Sequence, residues 1–239
     1  TDPDLADATY IEPLTREYLE LVIKKEKPDA ILPTVGGQTG LNLALELHTT
    51  GFLKANKVHL IGAQADAIEK AEDREKFKEL VQKLDLKQPS NATASSLNQA
   101  ISAAEKIGYP LVVRPSYVLG GRAMEIVASK EDLTRYMGEA VSVSNDSPVL
   151  LDKFLNDAIE VDIDVISDGE DVFIGAIMEH IEEAGIHSGD SNATLPPFNL
   201  GDFVMQQIID HTNKIALALN TVGLINIQFA IKDDTVYHN

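Results

Sequence analysis

The sequence predicts an α/β fold at the start of the chain and α+β structure after it. Helical and strand-like patterns alternate over residues 15–61, as in parallel strands joined by helices. Residues 111–127 contain two apolar runs separated by a glycine-containing loop, which indicates a hairpin. Residues 159–178 indicate a second hairpin, with its turn at residues 167–169. These three observations favour a small parallel domain followed by antiparallel sheet structure.

The composition excludes several classes of function. The 239 residues include no cysteine, so disulfides, thiolate metal ligands and a cysteine nucleophile are excluded. The formal net charge of −18 disfavours binding to nucleic acid or to anionic membranes. No apolar run approaches the roughly 20 residues needed to cross a membrane. A nucleotide site remains compatible, because a few local arginines and a magnesium ion can offset the overall charge.

The opening region predicts two short strands alternating with helices. Thr15 is expected to cap the first helix, and residues 30–32 and 58–61 are expected to form short buried strands. Residues 34–39 are expected to form a loop before the second helix. Within it, Gly36-Gly37 lies where a helix N-terminus can hold an anion. The glycine pattern of dinucleotide sites is absent, so a tight turn is the favoured interpretation.

The next region is helical and then breaker-rich. Residues 66–84 predict a charged helix, in which Arg74 is interpreted from spacing as a surface residue paired with a glutamate one turn away. Residues 87–96 are polar and contain proline, so they are a candidate boundary between subdomains. Residues 97–107 then predict an amphipathic helix.

The loop from Arg114 to Arg122 has two interpretations. Arginine side chains are fork-shaped donors suited to phosphate oxygens, and Gly120-Gly121 would let the backbone approach a ligand. These features indicate a loop that closes over a nucleoside triphosphate. The alternative is an ordinary hairpin with solvated arginines, and spacing alone favours that alternative.

The strand over residues 159–165 alternates apolar and acidic residues and is expected to be half-buried. Its acidic face carries Glu160, Asp162 and Asp164, and a solvated face is the simplest interpretation. A role for one of the three in holding a ribose is the alternative.

Three further features complete the pattern. Ser129 and Asp132 resemble a capping box at the start of a helix. His187 lies in a loop of small residues and is, taken alone, expected to be structural. Gln228 lies inside an apolar strand and requires a hydrogen-bond partner, because an unsatisfied buried amide costs about 1–3 kcal/mol.

Six motifs, in order along the chain, resemble the large subunits of the carbamoyl phosphate synthases, which belong to the ATP-grasp superfamily. They occupy residues 8–13, 32–39, 70–74, 114–124, 185–190 and 226–229. The resemblance implies a parallel α/β pre-ATP-grasp domain over residues 1–70 and an incomplete ATP-grasp domain over residues 71–239. It further implies a mobile small subdomain at about residues 91–150, and ATP-dependent phosphorylation of carbamate or bicarbonate in carbamoyl phosphate synthesis.

The resemblance also implies a nucleotide site with ATP and Mg²⁺ (or Mn²⁺) as cofactors. The implied site residues are Arg74, Arg114, Gly120, Gly121, Lys153, Leu155, Glu160, Gly185, Ile186, His187, Ser188 and Gln228.

Within that site the two arginines are implied phosphate ligands, and the glycine pair of the loop belongs to the phosphate loop. Lys153 and Leu155 are implied to border the adenine, largely through backbone groups. Glu160 is implied to bind the ribose and Gln228 the metal. Arg114 and His187 are the implied catalytic residues, acting by positioning and charge neutralisation without an enzyme nucleophile.

The chain departs from the family pattern in two ways. Tyr237 is followed by His238-Asn239, where the family continues into a strand that carries the metal-binding Glu and Asn. This predicts a fragment that binds ATP weakly and turns over poorly. Residues up to 77 resemble the first half of the family, whereas residues from 84 onward resemble its second half. The acceptor is therefore bicarbonate or carbamate, and the nucleotide-site stretch favours carbamate.

For the full subunit, the resemblance implies a glutaminase small subunit as partner and a cytoplasmic location, in pyrimidine or arginine biosynthesis. Nucleic acid and membrane are not expected partners. Two alternatives remain. One is another ATP-grasp carboxylate–amine ligase or a biotin carboxylase-like enzyme. Arg114 disfavours this alternative, because many relatives have lysine at the corresponding position. The other is a nucleotide-binding module without chemistry.

Overall fold

The computed structural model describes residues 5–115, 124–143, 148–184, 186 and 188–238, and no side chains are described at 74, 75, 115, 139–143 and 188. The chain divides into two compact units. The first comprises Thr1–Leu80, Ile163–Ala176 and Ile209–Ile227, and the second comprises Val81–Asp162, Ile177–Ile208 and Gln228–Asn239. Each unit is therefore assembled from three separate segments of the sequence.

The described elements alternate in the mixed α/β manner that the sequence predicts. The helices are α1 Arg16–Glu26, α2 Gly37–Thr49, α3 Phe52–Asn56, α4 Ala65–Glu72, α5 Arg74–Lys83, α6 Leu97–Ile107, α7 Lys130–Val143 and α8 Asp202–Leu219. The strands are β1 Ala30–Ile31, β2 His59–Leu60, β3 Asn91–Ala94, β4 Leu111–Pro115, β5 Glu125–Val127, β6 Val149–Lys153, β7 Ile159–Asp168, β8 Val172–His180, β9 Ala193–Thr194, β10 Val222–Lys232 and β11 Thr235–His238.

The opening segment of the first unit has the predicted parallel arrangement. Strands β1 and β2 pair in parallel, Ala30 opposite His59 and Ile31 opposite Leu60. Apolar side chains from the surrounding helices form a core beneath them. The buried members of this core are Ile23, Ala44, Leu47, Leu53, Val58 and Leu60.

Two local predictions in this segment differ from the structure. The expected loop at residues 34–39 is instead a 3-10 turn, Pro33–Gly36, followed directly by α2. A Cβ atom at Gly40 would lie 3.0 Å from the carbonyl oxygen of Pro33, so the close approach of helix to turn requires a small residue there. Strand β1 is half-buried and not buried, because it is short and has a single partner.

A four-stranded antiparallel sheet with the order β3-β6-β4-β5 forms one part of the second unit. Helices α6 and α7 pack against it, and the core between them is apolar except for the phenol group of Tyr136. Its buried members are Ala94, Ala100, Ala104, Leu111, Val113, Val127, Leu133, Tyr136, Met137, Val149 and Leu151. Strand β3 lies inside the breaker-rich segment 87–96, so that segment is not a simple linker.

The capping box predicted before α7 is present. The Ser129 hydroxyl donates to a carboxylate oxygen of Asp132 at 2.7 Å, and the Asp132 N–H donates back to the hydroxyl at 3.1 Å. The same carboxylate oxygen accepts from the Ala128 N–H at 3.2 Å. These bonds hold the pKa of Asp132 below its usual value, with the Ser129 hydroxyl as the main cause.

The second sheet has the order β11-β10-β7-β8-β9. Its strand β7 alternates as predicted on one face, where Val161, Ile163 and Val165 are buried. The expectation of a solvated acidic face is wrong for its first half. Glu160 and Asp162 are only 7% and 6% exposed, because this end of β7 is covered on both faces.

Within the described residues, no helix combines the length and apolar character that crossing a bilayer requires.

Candidate nucleotide-binding site

Arg114 lies near the end of β4, and the family resemblance implies that it is a phosphate ligand. Its side chain is 40% exposed, and its Nε atom lies 3.8 Å from a carboxylate oxygen of Asp152 on the neighbouring strand β6. That distance is too long for a hydrogen bond, and the buried Nε has no hydrogen-bond partner among the described residues. The guanidinium is therefore oriented by a nearby carboxylate and still has donors available to an anion.

Lys153 ends β6, but its ammonium group is used inside the protein. Nζ donates to the carbonyls of Gly108 and Tyr109, at 3.0 and 2.8 Å. Gly108 caps the C-terminus of α6, where a cation is favoured by the helix dipole. The backbone N–H of Lys153 donates to the Ser90 carbonyl at 2.8 Å. The ammonium group therefore has a structural role. This agrees with the implication that the segment contacts the adenine through its backbone groups.

Tyr109, next to that anchor, has a buried hydroxyl with no hydrogen-bond partner among the described residues. Burial raises its pKa, and the nearby carboxylate of Glu105 adds to the effect. Leu155 lies two residues beyond Lys153 and is half-buried. Neither side chain supplies a charge to a ligand, so any contact they make would be apolar or through the backbone.

Glu160, Asp162 and Gln228 come together on two neighbouring strands. The Gln228 Nε2 group donates to one carboxylate oxygen of Asp162 at 2.8 Å, across the β10–β7 pair. Glu160 lies two residues before Asp162, on the same face of β7. Gln228 is half-buried and not fully buried, and its amide has the partner that the sequence requires, which is Asp162.

His180, at the end of β8, is a member of the same cluster that sequence reasoning missed. Its Nε2 atom lies 2.6 Å from the second carboxylate oxygen of Asp162, and the imidazole is 7% exposed. The family resemblance implies a site role for His187 instead, seven positions later in the sequence. The alternating acidic residues of β7 could have indicated a nearby donor, because a buried carboxylate needs one. They do not identify which residue that donor is.

Several predicted site residues lie wholly or partly outside the described part of the chain. Gly120, Gly121, Gly185 and His187 are outside it, as is Arg122 of the loop. For Arg74 and Ser188 the backbone is described and the side chain is not, so the predicted glutamate pairing of Arg74 lies outside too. Arg74 begins α5, and Ser188 begins a 3-10 turn. Ile186 is described and is 45% exposed.

Gln228 fits the role of one oxygen ligand to magnesium. Its Nε2 faces Asp162, and among the described residues no donor is bonded to its Oε1. An amide oxygen is a ligand type that Mg²⁺ accepts, and Mg²⁺ usually takes much of its coordination from water and substrate phosphates. Within the described ranges no cluster of three or more His, Cys, Asp or Glu residues could hold a metal ion by itself.

The fold of this chain is shared by solved carboxylase and ligase domains. It resembles the biotin carboxylase domain of Hydrogenobacter thermophilus 2-oxoglutarate carboxylase, solved with MgADP, ADP and bicarbonate, with a TM-score of 0.76 and 19% identity over 98% of this chain and 54% of that one. It also resembles Bacillus anthracis D-alanine–D-alanine ligase complexed with ATP, with a TM-score of 0.69 and 19% identity over 92% of this chain and 69% of that one. At this identity the likeness concerns the fold.

Two family models then identify the chain more closely. Residues 73–238 match the ATP-binding domain of the carbamoyl-phosphate synthase L chain, and residues 1–70 match the carbamoyl phosphate synthase preATP-grasp domain. The chain belongs to the carbamoyl phosphate synthase large-chain family. The resemblance stated from the six motifs is thereby confirmed.

Curated relatives agree over nearly the whole chain. The large chain of Pasteurella multocida is 55% identical over 237 residues, which cover 99% of this chain and 22% of the relative. The C-terminal section of the large chain of Aquifex aeolicus is 50% identical over 237 residues, which cover 99% of this chain and 43% of that protein. This chain therefore spans about a fifth of the full-length relative and less than half of the separate section.

Proposed function

We propose that this chain binds MgATP and acts as an ATP-dependent carboxylate kinase module in carbamoyl phosphate synthesis, with carbamate as the favoured acceptor. The observation that carries the proposal is the match of residues 73–238 to the family's ATP-binding domain, because that range includes every implied nucleotide residue. In the reaction, the γ-phosphoryl group of ATP passes to a carbamate oxygen, which gives carbamoyl phosphate and ADP.

Arg114 is proposed to hold the triphosphate and to neutralise charge on the transferring phosphoryl group. Its side chain, which is 40% exposed, supports this role. Arg74 is the proposed second phosphate ligand, the loop glycines Gly120 and Gly121 cover the phosphates, and His187 is the second catalytic side chain. Phosphoryl transfer depends on positioning and charge neutralisation, so no enzyme nucleophile is required.

The nucleoside end is proposed to lie against the segment that ends β6. The backbone around Lys153 and Leu155 borders the adenine, and Glu160 accepts hydrogen bonds from the ribose hydroxyls. Ile186 and Ser188, with Gly185, line the same site. Glu160 is buried, on the face of β7 that also carries Asp162.

Gln228 is proposed to bind Mg²⁺ through Oε1, while Mn²⁺ is an acceptable substitute. When bound, the metal offsets the negative charge of the triphosphate. The contribution of the chain is to present an oxygen and to hold the amide in place.

The assignment of carbamate rests on the second-half character of the sequence. Alignment with the C-terminal section of the Aquifex aeolicus large chain spans 99% of this chain, which includes the opening residues as well. Bicarbonate remains the competing acceptor, and the biotin carboxylase domain with this fold was solved with that anion.

The same proposal includes a domain division at about residue 70 and a mobile small subdomain at about residues 91–150. It also includes a glutaminase partner and a cytoplasmic setting in pyrimidine or arginine biosynthesis. The two family models meet between residues 70 and 73, which supports the division. The single apolar core shared by α6, α7 and the four-stranded sheet supports the subdomain as a unit.

The reverse reaction tests the function directly, because a catalyst of one direction also catalyses the other. The chain is incubated with MgADP and carbamoyl phosphate, and the ATP formed is followed with luciferase. The proposal predicts slow ATP formation, as expected for a fragment, that depends on carbamoyl phosphate and is lost in Arg114→Ala. Bicarbonate-dependent ATP hydrolysis without ATP formation would reassign the acceptor. ATP binding without either activity would favour a nucleotide-binding module.

A further inference from the structure

Asp162 is a buried carboxylate with both oxygens occupied. One accepts from Gln228 Nε2 at 2.8 Å, and the other lies 2.6 Å from His180 Nε2. Asp162 is 6% exposed, and His180 is similarly buried. Removing a carboxylate from water costs free energy unless hydrogen-bond donors surround it. Asp162 therefore requires the hydrogen bonds from Gln228 and His180.

The chemistry of this group determines how each neighbour is oriented. An ionised carboxylate only accepts hydrogen bonds, so His180 must carry its proton on Nε2 and Gln228 must present its NH₂ group. The side-chain amide is planar, with nitrogen and oxygen on opposite sides of the carbonyl carbon. Turning Nε2 toward Asp162 therefore turns Oε1 of Gln228 away from it, and no described residue donates to that oxygen.

His180 prevents the carboxylate from rotating. Its backbone is held by the pairing of β8 with β9, where His180 lies opposite Ala193. With His180 bonded to one oxygen, the other oxygen of Asp162 has a fixed direction, and so does the amide bonded to it. Without that anchor, the carboxylate could rotate and move the bonded amide with it, so that Oε1 of Gln228 would no longer point in one fixed direction.

We propose that Asp162 and His180 are positioning residues, which fix the rotation of the Gln228 amide so that Oε1 is presented to a divalent cation. This inference rests on the proposed function for the identity of the ligand, MgATP. It assigns no contact with substrate to Asp162 or His180.

The first test uses the ligand-free chain. The side-chain ¹⁵N–¹H signals of Gln228 are assigned by their loss in Gln228→Leu. One fixed, hydrogen-bonded amide with slowed proton exchange is expected. Exchange should accelerate in His180→Leu and be restored in His180→Gln, which keeps a donor in place of Nε2. If the Gln228 signals are the same in all three proteins, His180 does not hold the amide.

The second test compares ATP affinity in Mg²⁺ with ATP affinity in EDTA. The gain from Mg²⁺ is the ratio of the ATP affinity in Mg²⁺ to that in EDTA. His180→Leu is expected to reduce this ratio by about tenfold, as for other groups that orient a metal ligand, and to leave the affinity in EDTA unchanged. His180→Gln should retain most of the gain. Asp164→Asn is the matched control, because Asp164 lies two residues along β7 and accepts from Asn226 at an exposed site. Its gain from Mg²⁺ should equal that of the unchanged chain.

Equal gains from Mg²⁺ in His180→Leu and the unchanged chain, or an equal loss in Asp164→Asn, would overturn the inference. If His180→Leu does not fold, Asp162→Asn takes its place with the same two readouts. Asparagine keeps the volume of the side chain at position 162 and replaces the carboxylate, which only accepts hydrogen bonds, with an amide that can also donate. If the unchanged chain binds no ATP, the proposed function fails, and the amide spectrum alone still decides the orientation.

Discussion

The ammonium nitrogen of Lys153 lies 2.8 Å from the carbonyl oxygen of Tyr109 and 3.0 Å from that of Gly108. This contact links the end of β6 to the connection between α6 and β4. It joins two segments 44 residues apart in sequence, and it uses a charged donor at a helix C-terminus. A residue that the family resemblance attaches to the nucleotide is therefore also a structural support of the sheet.

Replacement of Lys153 by methionine separates these two roles. We expect the free energy of unfolding to fall by about 1.5–3 kcal/mol, because hydrogen bonds from a charged donor are lost and two carbonyls are left without it. The affinity for ATP should fall far less than in Arg114→Ala. Urea unfolding and calorimetric titration measure both quantities. A loss of affinity as large as that of Arg114→Ala would make the ammonium itself a ligand.

Replacement of Glu160 tests the ribose assignment. If its carboxylate accepts from the ribose hydroxyls, the unchanged chain should bind ATP more tightly than 2′-deoxy-ATP, by about tenfold for a hydrogen bond to a charged group. In Glu160→Gln that preference should shrink toward unity. The ratio of the two dissociation constants is the relevant quantity, because a general loss of structure would affect both nucleotides. An unchanged ratio would remove Glu160 from the ribose site.

The capping box of α7 predicts an acid-sensitive contribution to stability. Ser129→Ala should lower the free energy of unfolding by about 0.5–2 kcal/mol, as for other helix caps. Because the hydrogen bond from Ser129 lowers the pKa of Asp132, the stabilisation from this carboxylate is present above its unfolded pKa and is lost as the pH falls through its folded pKa. The stability difference between Asp132→Asn and the unchanged chain should therefore shrink on acidification. A constant difference across pH would contradict this account.

Tyr136 predicts sensitivity at alkaline pH. Burial, with a smaller effect of Glu125, raises the pKa of its phenol from an ordinary value of 10.0 to about 12. Between these values the folded state holds a proton that the unfolded state has released, so the free energy of unfolding falls as pH rises. Tyr136→Phe should be less sensitive over the same range. Chemical unfolding at a series of alkaline pH values measures the two slopes, and equal slopes would contradict the raised pKa.

Local chemistry was the part of the structure most open to prediction from sequence. The bonds between Ser129 and Asp132 span three residues, so a sequence pattern suffices to predict them. The apolar face of β7 follows from its alternation, and the parallel pairing of β1 with β2 follows from the order of elements. In each case the interacting residues are neighbours in sequence or belong to successive strands.

The particular partner that a strand or a side chain finds on another strand was not predictable in the same way. Strand β3 has the sequence Asn-Ala-Thr-Ala, which carries little strand preference, and it forms because β6 supplies its partner. The donor to Asp162 on β8 lies 18 positions away, and the amide of Gln228 lies 66 positions away. The sequence indicated that Gln228 needs a partner, but nothing in its spacing identified Asp162.

The central claim is that Arg114 holds the triphosphate of a bound nucleotide, and calorimetric titration of ATP and AMP tests it most directly. Arg135 is the matched control, because it is an arginine of the same subdomain that is paired with Glu125. We predict that Arg114→Ala weakens MgATP binding about 10- to 100-fold, as expected for loss of charge-assisted hydrogen bonds, and leaves AMP binding nearly unchanged, while Arg135→Ala alters neither. Equal MgATP affinity in Arg114→Ala and Arg135→Ala would contradict the claim.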